Sequence, residues 1–168
     1  MKLRMYRYKS CVFGGIQLQL WDTAGIERYA SLSPNYYKQS SAVIVCYAVD
    51  NRLSLSSVVG HVTVAASHCA CVVQQPVFFL CGGRSDCSMV DMVSALDVER
   101  VVAQLPVDVA ACYTVSAATG HGVDDMFADI AHRLLNNMQR NAAASAEKTQ
   151  TVTVVSESHC LHNCCPYR

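Results

Sequence analysis

Charge is scarce in this chain. Only 15% of its 168 residues are Asp, Glu, Lys or Arg, and 13 bases balance 13 acids. A net charge of zero excludes a broad electrostatic pull on nucleic acid or an anionic membrane surface. No apolar run is long enough to span a bilayer as a helix. No basic-then-apolar-then-small pattern opens the chain, so no secretory leader is expected. Nor is any glycine followed by lysine; Lys2, Lys9, Lys38 and Lys148 all follow other residues. The loop GxxxxGKS/T, whose N–H groups wrap a β-phosphate while its Lys reaches the β/γ-phosphates, therefore has no match in these residues.

What is present is apolar. A content of 52% Ala, Val, Ile, Leu, Met, Phe, Trp, Tyr and Cys argues against disorder. The length is that of one domain able to bury a sizeable core. The ten cysteines are scattered, and read as small hydrophobes kept reduced in an intracellular α/β protein. Residues 1–15 are the most basic part, with no acid before Asp22. They read either as an edge strand ending in a Gly14-Gly15 hairpin turn or as a short transit peptide.

Ile16-Gln-Leu-Gln-Leu20 alternates strictly, as a strand with one covered face does. Ala42 to Val49 is an unbroken apolar run, as in a strand covered on both faces. Asp22 is then expected just past a strand end, where α/β sheets bind ligands. A helix is expected near Leu55–Val73, with Ser54 as its N-cap. Val77–Cys81 reads as the next buried strand, Asp97–Leu105 as a short helix, and Ala110–Val115 as the last strand. Val123, Met126, Phe127, Ile130 and Leu134 mark an amphipathic final helix. His68, Cys69 and Cys71 give only a weak metal pattern.

Trp21-Asp-Thr-Ala-Gly-Ile-Glu-Arg-Tyr29, followed by Pro34-Asn-Tyr-Tyr37 and a buried strand, resembles the switch II region of small GTPases, in the Rab branch. The resemblance implies a three-layer α/β fold: a mostly parallel sheet with helices on both faces, as in the G domain of P-loop NTPases. The first strand, phosphate loop and first helix of that domain have no counterpart here. A truncated start is expected, and with it an unpaired, aggregation-prone edge on Ala42–Val49 or its neighbours.

The same resemblance implies GTP or GDP with Mg²⁺ as ligands. Asp22 would hold Mg²⁺ through water, and the Gly25 N–H would meet the γ-phosphate. Ile26 stands at the water-positioning place, where an apolar side chain cannot orient water, which implies little or no GTP hydrolysis. In Gly82-Gly-Arg-Ser-Asp86, Asp86 would accept guanine N–H groups and Arg84 could stack on the base, while Gly83 lacks the family's Asn amide. Ser116 and Ala117 match the loop whose backbone N–H meets guanine O6. Trp21, Tyr29 and Tyr36 would form an effector surface.

The final stretch reads as a separate part: a G domain over 1–135, then a flexible tail over 136–168. Cys164-Cys165 resembles a double-cysteine prenylation signal, and two lipid chains anchor stably where one is marginal. Zinc on His159, Cys160, His162 and Cys164, or an inert tail, are the alternatives. The resemblance implies a Rab-like protein of vesicle and membrane traffic. It would work with effectors and regulators at the cytosolic face of endomembranes of the endosome or Golgi class, with a soluble pool. No nucleic-acid partner is expected. The alternative is a non-hydrolysing, nucleotide-free pseudo-GTPase acting as an interaction module.

Overall fold

The two strand patterns become parts of one six-stranded sheet. The computed structural model describes residues 8–13, 16–23, 37, 39–69, 75–87, 92–142 and 151–158. Its strands are β1 (Tyr8–Phe13), β2 (Ile16–Thr23), β3 (Ala42–Ala48), β4 (Val77–Gly83), β5 (Val109–Thr114) and β6 (Thr151–Ser158). The helices among the described residues are α1 (Arg52–Cys69), α2 (Ala95–Val102) and α3 (Val123–Ala142). The spatial order is β1-β2-β6-β3-β4-β5. β1 runs antiparallel to β2, with Phe13 opposite Ile16, and every other pair is parallel. Residues 8–13 thus take the edge-strand reading of the basic start.

The unbroken apolar run of β3 is explained by cover on both faces. Ala42 and Ile44 pack with Phe79, Cys81, Leu18 and Val154 beneath Met126, Ile130 and Leu134 of α3. Val43, Val45 and Tyr47 pack with Phe78 and Leu80 beneath Leu55, Val58, Val62 and Ala65 of α1. Side chains alternate faces along a strand, so neighbouring residues of β3 and β4 serve opposite cores. Cys46 lies opposite Cys81 across the β3–β4 ladder.

Helix α1 begins earlier than the sequence suggests. Asn51 Oδ1 accepts from the N–H groups of Leu53 (3.0 Å) and Ser54 (3.2 Å), so Asn51 is the cap. Ser54 is buried in the first turn, where its hydroxyl accepts from Ala48 N at 2.9 Å and donates to Asn51 O at 2.6 Å. It ties the helix to the end of β3. Helix α2 opens with a capping box of Ser94 and Asp97 and ends by Val102.

Within 136–168, the described residues are in regular elements rather than a flexible tail. Helix α3 continues to Ala142, and residues 151–158 form β6 between β2 and β3. Gln17 to Thr23 pair with Thr151 to Glu157 on one side, and Ala42 to Cys46 pair with Val154 to Ser158 on the other. The β3 edge expected to be bare is therefore covered. Chain geometry allows this step. Helices α1 and α2 cover one face as the chain moves outward from β3 to β5, and α3 covers the other as it returns. Reversing both direction and face keeps the hand of the crossover, and right-handed crossovers dominate parallel sheets.

Candidate functional site at the carboxyl edge of the sheet

Because β2, β6, β3, β4 and β5 are parallel, their carboxyl ends share one edge. The loops after β4 and β5 meet there. Ser85 N donates to Val115 O at 3.1 Å, and Val115 N to Gly82 O at 2.8 Å. Ser116, fully buried, donates its hydroxyl to Asp86 Oδ1 at 2.5 Å and accepts from Thr119 N at 3.2 Å. The turn beyond it closes through Gly120 N to Ser116 O and Ser116 N to His121 O. Gly120 and Gly122 take positive φ, which the turn requires.

The hydrogen bond from Ser116, then the Asp86 backbone N–H and the charge of Arg84, hold the Asp86 carboxyl below its ordinary range. The result is an exposed carboxylate, ionised at neutral pH, beside the loop that follows β5. Such a carboxylate can accept two N–H donors from a flat heterocycle.

Arg84, the residue expected to stack on the base, is held in an ion pair. Its backbone sits at φ 67, the left-handed region. Its guanidinium lies 2.8 Å from Asp50 Oδ2 at the end of β3, where the Asp50 side chain is 8% exposed. Asp50 was missed by sequence reasoning. An acid directly after a buried strand, next to a basic residue in the loop of the neighbouring strand, is the signal that would have found it. Gly82 is tightly held: an added Cβ would meet Tyr47 Oη and Val49 Cγ1 at 2.9 Å. Burial, followed by the nearby Cys112 and Cys81 thiols, pushes the Tyr47 hydroxyl up to about 12, so it stays neutral.

The other expected site residues are spread along or beyond this edge. Asp22 lies within β2 rather than past its end, because β6 extends the pairing through Asp22↔Ser156 and Thr23↔Glu157. Trp21 is half-buried against the cluster under α1. Gly25, Ile26, Tyr29, Tyr36, Cys164 and Cys165 lie outside the described residues, as do Cys71, His159, Cys160 and His162. Cys69 is buried and His68 stacks on Tyr37, with centroids 5.4 Å apart. Among the described residues, no group of three or more His, Cys, Asp or Glu could hold a metal ion, and no helix is long and apolar enough to cross a membrane.

The carboxylates that brace the fold predict its acid response. Asp97 is held low first by Ser94, Asp129 first by Arg133, and Asp86 first by Ser116. A folded pKa below the unfolded one adds stability above the unfolded value, and that stability is lost as pH falls through the folded value. Melting temperature is therefore expected to hold from pH 7 to about 5 and to fall below about pH 4, where free Asp titrates. Thermal melts across that range check this. The acid limb should be shallower in Asp97→Asn, measured against its own value at pH 7.

Residues 7–136 fit the family described as Ras family. The chain belongs to the Ras family. A ras-related Rab-5B protein of Dictyostelium discoideum is 30% identical over 122 residues, covering 73% of this chain and 54% of that protein. Rab-4A of Homo sapiens is 27% identical over 124 residues, covering 74% and 54%. Rab-26 of Bos taurus is 32% identical over 132 residues, covering 79% and 48%. These relatives agree with the Rab-type character read from the switch motif. The chain spans about half the length of the curated relatives it matches. Ras-family proteins in general bind GTP or GDP with Mg²⁺. In this member, the described residues place the Asp86 carboxylate beside the Ser116 hydroxyl at the carboxyl edge of the sheet. Beside that edge, β6 is the strand between β2 and β3.

Proposed function

We propose that this Ras-family chain is a Rab-like protein of membrane traffic that recognises guanine nucleotide weakly and hydrolyses it very slowly or not at all. The reading rests on the ionised Asp86 carboxylate braced by Ser116 at the sheet's carboxyl edge. Asp86 and the N–H of Ala117 would read the base. Asp22 would serve Mg²⁺ through water, and the Gly25 N–H the γ-phosphate. Ile26, in the water-positioning place, gives no help to hydrolysis. Effectors would meet Trp21, Tyr29 and Tyr36, and regulators of a Rab cycle would act on the same switch segment. Prenylation at Cys164 and Cys165 would hold the protein at the cytosolic face of endosome- or Golgi-class membranes.

The test is a titration of the full chain with a fluorescent GTP analogue in Mg²⁺, with ATP as competitor, alongside a GTP turnover assay. Weak binding that GTP displaces and ATP does not supports the reading. ATP displacing as well as GTP would sink it. The gap at residue 83 supplies a gain-of-function check. A Cβ there meets only Tyr47 O, at an ordinary 3.7 Å, so the first atom of an Asn side chain in Gly83→Asn finds room. Restoring one hydrogen-bonding amide is expected to tighten guanine-nucleotide binding about tenfold.

A second reading, a nucleotide-free interaction module, is favoured by one observation. The place between β2 and β3 is filled by the chain's own β6. No binding of any nucleotide, together with a cooperative melt, would select it.

A further inference from the structure

Residues 151–158 alternate Thr and Val before ending Val-Ser-Glu-Ser. The β-branched residues suit a pleated, half-buried surface. In β6 they pair with strands on both sides, and Val154 is fully buried among Leu18, Ala42, Ile44 and Phe79. This is the environment of a core strand, not of a stalk lying on a surface. The direction of β6 matters as much as its place. It is parallel to β2 and β3, so the chain leaves it at the carboxyl edge, where Ser158 is opposite Cys46.

That exit limits where the cysteine end can reach. An extended chain covers at most about 3.6 Å per residue. From Ser158, Cys164 can then lie no more than about 22 Å away. Counted from Ala142, the end of α3, the limit would be roughly 80 Å. We propose that residues 151–158 are a docked tail strand whose seat between β2 and β3 sets the reach of the cysteine end. Seated, it completes the sheet and limits Cys164 and Cys165 to within about 25 Å of Ser158 at the carboxyl edge. Unseated, it frees a long tether and leaves the facing edges of β2 and β3 open to another strand. Sheet completion and tail length are thus alternative uses of the same eight residues. The inference does not depend on nucleotide binding or on the chemistry of any modification at the cysteines.

Hydrogen exchange of the full chain tests it directly. Amides of 151–158 are expected to exchange within about tenfold of those in β3 and β4. Val154→Asp should speed exchange in 151–158 at least a hundredfold and also loosen β2 and β3, whereas Val154→Ile should preserve the protection. The unaltered chain decides the matter even if Val154→Asp does not fold. Fast, unprotected exchange across 151–158 with β3 and β4 still protected would overturn the proposal. So would protection of 151–158 that vanishes on dilution in step with dissociation of a dimer, since a second copy would then supply the strand.

Discussion

Asp86→Ala is expected to abolish preference for guanine over adenine nucleotides in the protein's proposed ligand site. Asp86 offers the only acidic side chain in the loop Gly82–Asp86, and Ser116 holds it in place at 2.5 Å. Hydrogen bonds to a charged group contribute about 1.5–3 kcal/mol each, and a carboxylate facing two guanine N–H groups accepts two. Loss of both predicts a fall in the GTP-over-ATP ratio of at least about a hundredfold. Competition titrations measure that ratio. Ser116→Ala should act in the same direction but more weakly, because it removes a brace and leaves the reading group. Asp86→Ala and Ser116→Ala lose the same hydrogen bond, so a larger fall in the GTP-over-ATP ratio for Asp86→Ala at a similar melting temperature separates recognition from folding.

Phe79→Ala carries the largest expected stability loss. Phe79 is fully buried in the middle of β4, beneath Ile130 and Leu134, with Tyr113 at a ring-centroid distance of 6.1 Å. Removing a buried phenyl ring from a packed core costs about 3–5 kcal/mol, the lost transfer energy plus that of the cavity. For a chain of this size the melting temperature should drop by about 6–20 °C. Leu80, one position along, faces the other core under α1. Chemical denaturation of Phe79→Ala and Leu80→Ala should both show large losses, because each residue serves a different face. A loss of less than about 1 kcal/mol in either would contradict the two-sided burial of this strand.

Much of this architecture was legible in the residues. β3 and β4 announce themselves as unbroken apolar runs, because both of their faces are covered. The amphipathic spacing of α1 and α3 gave their buried stripes, and Val58, Val62, Ala65 and Cys69 are buried as that spacing requires. The Asp86–Ser116 contact was foreshadowed by two short motifs thirty residues apart, each at the end of a strand. Asn51 shows where local reading fails. Asn51 and Ser54 are both good caps, and only the observed bonds to Leu53 and Ser54 decide between them.

β6 escaped for a different reason. Thr151-Val-Thr-Val-Val155 has a strand's composition, but it is short and set in a polar stretch. Its stability comes from two neighbours more than a hundred residues away in sequence. Tertiary pairing of this kind overrides local propensity, and no window along the chain contains it. Asp50 was hidden likewise: its partner Arg84 becomes adjacent only when β3 and β4 lie side by side.

The position of β6 also has a consequence for the protein's birth. A ribosome delivers β2 and β3 long before Thr151, so Leu18 and Ala42 must wait for Val152 and Val154. During that interval two strand edges stand open, a state prone to pairing with other chains. Closure through such distant contacts is intrinsically slow. Nascent chains stalled before residue 151 should therefore depend on chaperones far more than the released polypeptide does.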